Sequence, residues 1–79
     1  MDGVKRLDIY APVIAKIAKP GQFVSVCLEP DDERVPMSIS DCLLSQGAIS
    51  LIVQDVGITS HKLCELSIND SIFSIIGPL

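Results

Sequence analysis

The residues able to do chemistry fall in two short stretches, RVPMSIS at 34–40 and VQDVGITSHKL at 53–63. In the first, Arg34, Pro36 and Ser38 recur at every second position, a spacing that puts three side chains on one face of a strand. A cation, a residue without a backbone donor and a hydroxyl make a poor core face, so that face is turned to solvent or to a ligand. Arginine suits bidentate contact with phosphate. In the second stretch a strand passes through Gly57 into a helix with Thr59 or Ser60 as its N-cap. Free N–H groups and the positive end of the helix dipole meet at such a junction and favour an anion. Each stretch also has an ordinary reading. Pro36 would protect an edge strand from further pairing, and the junction would be a plain capped turn. Taken together, the two ends of antiparallel neighbours can meet over one ligand, and a cofactor with a pyrophosphate and a flat apolar ring would use both.

The elements that must position these residues read mostly as strands. In VKRLDIY, 4–10, Leu7 and Ile9 share one face, and Arg6 and Asp8 the other. The segment 11–19 is either a short helix or a loop with one helical turn. KPGQ at 19–22 is a turn, because Pro20 presets φ and Gly21 supplies the permissive position. QFVSVCL, 22–28, alternates Phe23, Ser25 and Cys27 with Val24, Val26 and Leu28, as a strand covered on both faces would. EPDDE at 29–33 is a solvated loop. RVPMSIS is expected to end in a polar turn, followed by a strand over 47–56 in which Ile49, Leu51 and Val53 share a face with Asp55. A short helix follows Gly57, SIND at 67–70 is a turn, and SIFSII, 71–76, is a last strand. Five β segments with one short helix, and turns every eight to twelve residues, predict a small all-β barrel or sandwich.

Seventy-nine residues make at most one small domain, with 48% hydrophobic content and a net charge of −4. That composition supports a folded core. Six Lys and Arg in all, with no basic patch, argue against a nucleic-acid partner. No apolar run approaches the roughly 18 residues of a membrane span, and MDGVKRLD lacks the apolar core of a signal peptide. Three cysteines without a C-x-x-C spacing, Cys27, Cys42 and Cys64, fit reduced thiols and a cytoplasmic protein. With His61 as the single histidine, a zinc site is not expected.

In order along the chain, AKPGQFVSV, ERVPMSI, ISLIVQDVGITSHKL and IIGPL resemble the FAD-binding barrel of the ferredoxin–NADP⁺ reductase superfamily. The pattern is most similar to the FAD subunits of NADH-dependent ferredoxin:NADP⁺ oxidoreductase and sulfide dehydrogenase, with the dihydroorotate dehydrogenase electron-transfer subunit a near relative. The resemblance implies a small antiparallel Greek-key β-barrel over residues 1–79, lacking its first strand. It implies that Arg34 contacts the FAD pyrophosphate and that Ser38 approaches the flavin N5. It implies that Gly57, with Thr59 or Ser60, holds phosphate, and that Gln54 and Asp55 lie along the isoalloxazine and ribityl groups. Two departures stand out. Val35 occupies the place of the arginine in the Arg-Pro-x-Ser form, so Arg34 is displaced by one step, and Met37 stands where an aromatic residue would cover the flavin.

Such subunits continue past G-P-L-G into an NAD(P)H-binding domain and a cysteine cluster holding a [2Fe–2S] centre. Neither a G-x-G-x-x-G nor clustered cysteines occur here. The chain is therefore expected to be a fragment whose partners are flavin, the NAD(P)-binding domain and an iron–sulfur subunit. The implied role is transfer of electrons between NAD(P)H, FAD and an iron–sulfur carrier. An FMN-binding barrel is a variant of that reading. The alternative is a cofactor-free β-barrel interaction or structural module, forming homo-oligomers through an open barrel edge.

Overall fold

The computed structural model describes residues 3–79. Its strands are β1 (Val4–Tyr10), β2 (Phe23–Cys27), β3 (Val35–Leu43), β4 (Ala48–Gln54) and β5 (Ser74–Ile76), and its helices are α1 (Pro12–Ile17) and α2 (Ile58–Cys64). The strands form one antiparallel sheet in the order β1-β4-β3-β2-β5. Strands β2, β3 and β4 follow one another as hairpins, and β1 returns beside β4, which is Greek-key connectivity.

The middle strand changes partner. Residues 35–38 of β3 pair with β2, whereas Ile39 and residues 41–43 pair with β4. The register slips between Ile39 and Asp41, so Ser40 is an extra residue, a β-bulge of the kind that bends a strand and sharpens its twist. The Ser40 hydroxyl donates to the Ser50 carbonyl at 3.0 Å and fixes the bend. This is also where the structure departs from the sequence reading. The polar run after Ser38 continues as strand to Leu43 because its outward side faces water, where Asp41 needs no core partner. The last strand is shorter than SIFSII; it spans Ser74–Ile76, with Phe73 outside it and its N–H on the Leu28 carbonyl.

The concave side holds the core. Val24, Val26, Ile39, Ile49, Leu51, Val53 and Leu63 are fully or almost fully buried. Leu63 is the residue by which α2 closes one end, while α1 contributes Ile14 and Ala15. The segment left open between loop and helix is thus a helix, with Pro12 in its first turn, where a missing N–H costs nothing. Ser50 is buried on the other side of β4, satisfied by Asp8 (2.6 Å) and Arg6 (3.1 Å) of β1. The Ser50 hydroxyl and the Arg6 guanidinium hold the Asp8 carboxyl below the usual carboxylate range.

The outer edge of β1 has no strand partner among the described residues. The Asp55 N–H bonds Gly3 O and the Ala11 N–H bonds Gly47 O, so the odd-numbered residues of β1 bond β4. Val4, Arg6, Asp8 and Tyr10 consequently present their backbone groups outward. A cleft of about 1000 Å³ separates this edge from residues 66–72 and Ile75. The Lys5 ammonium spans it at one end, donating to the Cys64 carbonyl at 2.9 Å and to the Leu66 carbonyl, and so caps the C-terminal end of α2.

Leu51 pairs with Leu7 on one side and Ile39 on the other, at the centre of this arrangement. Leu51→Ala should therefore destabilise the fold by about 2–5 kcal/mol. In a domain this small such a loss is a large fraction of the total, and a urea titration followed by circular dichroism should show a markedly lowered midpoint.

Candidate functional site

Alternation along β3 turns Val35, Met37 and Ile39 inward and leaves Pro36, Ser38 and Ser40 exposed. Arg34, just before the strand, is exposed on the same outward face as Pro36 and Ser38. Three candidate residues are thus brought onto one surface. Met37 packs against the core instead, and its side chain is not on the face of Ser38.

Register adds residues that the sequence reading did not single out. Phe23 lies opposite Ser38, Ser25 opposite Pro36, and Ile76 of β5 opposite Ser25. Partners across antiparallel strands point the same way, so Phe23, Ser25 and Ile76 belong to the outward face. Strand alternation could have flagged Phe23 and Ser25, but not the neighbour that each would acquire.

The Arg34 guanidinium lies over β2 and β5. It donates to the Ser25 carbonyl (3.1 Å), the Ser25 hydroxyl (3.3 Å) and the Ser74 hydroxyl (2.5 Å). Its Nε–H takes no part in these contacts, and an arginine carries five N–H donors in all. An exposed arginine held by three neutral acceptors is already oriented. The Arg34 side chain thus reaches across β2 rather than along β3.

The second candidate group sits where β4 leaves the sheet. Gln54 ends β4, and Asp55, Val56 and Gly57 are exposed. Helix α2 starts at Ile58 with Gly57 as its N-cap, so Thr59 and Ser60 lie inside the first turn and are buried. The Ser60 hydroxyl accepts from Val56 N–H (3.0 Å) and Gly57 N–H (2.9 Å) and donates to Gly57 O (3.2 Å). Its hydrogen-bonding capacity is spent on the cap. Gly57 has extended backbone that any residue adopts, and a Cβ there would meet nothing nearer than the Ser60 hydroxyl at 3.9 Å. The space in front of Gly57 is open. No hydrogen bond links Arg34 to residues 54–60 among the described residues; the N-terminal half of β3 has left β4 for β2, and the two groups stand on separate arms of the bend.

Asp55 has a partner of its own. Its carboxylate meets His61 Nδ1 at 2.7 Å, and Glu65 meets Nε2 at 2.5 Å. The Asp55 carboxylate, and after it Glu65, raise the His61 pKa above the ordinary histidine value. Lys62 of the same helix pairs with Asp32 at 2.9 Å, joining α2 to the acidic loop 29–33.

Two outcomes check this junction. Ser60→Ala leaves the Gly57 N–H without its acceptor and the Val56 N–H with the Gln54 carbonyl alone, and as the loss of a helix cap it should cost about 0.5–2 kcal/mol, measured by chemical denaturation. A histidine pKa raised by folding adds stability that is complete below the unfolded pKa near 6.5 and is lost as pH rises through the folded value. His61→Asn should therefore narrow the difference in stability between acidic and alkaline buffer, and a proton NMR titration of wild-type His61 should have its midpoint above 6.5.

No protein-family model matches the chain. A dihydroorotate dehydrogenase B (NAD⁺) electron-transfer subunit homolog of Thermotoga maritima is 37% identical over 71 residues, covering 90% of this chain and 25% of that protein. An uncharacterized protein from the adh 3′ region of Clostridium beijerinckii is 36% identical over 73 residues, covering 92% and 25%. Among solved structures, that of the NADH-dependent reduced ferredoxin–NADP oxidoreductase, described in connection with flavin-based electron bifurcation, superposes with a TM-score of 0.93 at 34% identity. The superposition covers 98% of this chain and 28% of that one. The chain spans about a quarter of the length of the relatives it matches. It is therefore a homologue of the electron-transfer subunits of these oxidoreductases, equivalent to one part of them, and it carries the fold of a reductase FAD-binding domain.

Proposed function

We propose that residues 1–79 are the FAD-binding part of a cytoplasmic electron-transfer subunit, one that passes electrons between NAD(P)H, flavin and an iron–sulfur carrier. The observation that carries this reading is the shared outward face of Arg34, Pro36 and Ser38, with the guanidinium already held in place. The residues fit the group. Arg34 offers spare donors of a guanidinium to a pyrophosphate, and the Ser38 hydroxyl is free on the surface to face the ring N5. Gly57 leaves room for close approach of a phosphate, with Thr59 beside it, while Gln54 and Asp55 flank the ribityl side. Bound flavin would supply the hydride and single-electron chemistry; the protein supplies position and electrostatics. NAD(P)H and a [2Fe–2S] centre belong to parts of the larger protein or its partner subunit.

A second reading has an observation in its favour. The free edge of β1 and the cleft beside it suit an interaction module that takes up another strand or a second copy of the chain. Arg6 presents its N–H outward, so Arg6→Pro should spare the β1–β4 ladder and remove edge pairing. Light scattering across a concentration series would show any oligomer of the wild type reverting to monomer in this variant. A wild type that stays monomeric at all concentrations removes self-association through that edge.

For the flavin reading, purified chain mixed with FAD should retain yellow flavin through gel filtration. Arg34→Ala should weaken FAD binding by about tenfold to a hundredfold, the loss of a charge-assisted contact worth about 1.5–3 kcal/mol. Gly57→Ala, which the fold tolerates, should weaken FAD while leaving the denaturation midpoint in place. Absence of retained flavin in the wild type sinks the proposal. An FMN affinity above that for FAD would reassign the cofactor.

A further inference from the structure

From the pairing of β2 with β3 we infer that Phe23 is the aromatic residue that packs against the flavin ring, in the role that the sequence pattern would have given to position 37. The inference rests on the flavin reading above. Met37 faces the core, so it cannot cover a ligand on the opposite side of β3. Phe23 is 51% exposed on that opposite side, directly across from Ser38.

The hydrogen-bond pattern makes this pair a close one. Gln22 O accepts from Ile39 N–H at 2.8 Å, whereas Phe23 O turns away from β3 to accept from Leu79 N–H at 2.8 Å. Phe23 and Ser38 are therefore a non-hydrogen-bonded pair, the kind whose Cα atoms lie about 4.5 Å apart and whose side chains are nearest. Any flat group whose edge meets the Ser38 hydroxyl must lie beside the Phe23 ring. Ile76 at 50% exposure and Pro36 extend the apolar floor, and the Arg34 guanidinium with Ser25 and Ser74 bounds it on the side where a charged tail would run. An apolar floor with a cation at one end complements a ligand that is aromatic at one end and anionic at the other.

The test separates ring contact from phosphate contact by using riboflavin beside FAD. Phe23→Trp is the informative variant, because an indole in contact with an isoalloxazine quenches its emission by electron transfer while the side chain remains large and apolar. Riboflavin bound to Phe23→Trp should lose most of its emission relative to riboflavin bound to the wild type. Phe23→Ala should weaken riboflavin and FAD alike by about tenfold, whereas Arg34→Ala should weaken FAD and leave riboflavin unchanged. Circular dichroism will report on folding of the alanine variant, whose side chain is half in solvent. If the wild type binds flavin and Phe23→Trp leaves its emission untouched, the role of Phe23 is overturned while the flavin reading survives. If the wild type binds neither flavin, the flavin reading fails and takes this inference with it.

Discussion

The structure turns on the change of partner in β3. With Ser40 as an extra residue, one strand serves two neighbours in succession: β2 for its first half and β4 for its second. The bend lets a five-stranded sheet curl around a core only a few side chains thick, and it lets the short α2 reach that core through Leu63, with Cys64 beside it. It also divides the candidate residues. Those on the N-terminal half of β3 travel with β2 and β5, and those at the end of β4 travel with β1 and α2. A ligand touching both groups would bridge the bend, and its binding energy would be spent partly on holding the arms at a fixed angle.

The two groups are built differently. The β2–β3–β5 face is a preformed surface, with Arg34 fixed by acceptors on two other strands before any ligand arrives. Preorganisation of this kind lowers the ordering cost of binding. At the β4–α2 junction the polar side chains are already occupied: Ser60 by the cap, Asp55 by His61. What remains there is backbone and open space. An anion at this end would find fewer side-chain donors to spare than at Arg34.

Much of this was legible in the sequence wherever alternation alone decides. VKRLDIY is β1 from end to end, and Arg34, Pro36 and Ser38 share a face as their spacing requires. Legibility stopped where an element's fate depends on a distant neighbour. Residues 41–43 read as a turn because nothing local says that β4 waits beside them. Phe23 was expected on a strand covered on both faces and is half exposed, since alternation orders the side chains but only register says which partner each one meets. The start of α2 was misplaced by two or three residues because Ser60 caps it from within the first turn, whereas a hydroxyl before a helix is the commoner arrangement.

The one-sided pairing of β1 has a kinetic side. Its odd-numbered amides are locked into the ladder with β4, while those of Arg6, Asp8 and Tyr10 face the cleft. Solvent deuterium would therefore enter this strand in a comb, every second position fast, within an element that is continuous by any geometric measure. Occupation of the cleft by another strand would erase the comb without moving a single core side chain. Whether the edge is covered could thus be followed from amide exchange alone, independently of whatever happens on the side of the sheet that carries Arg34.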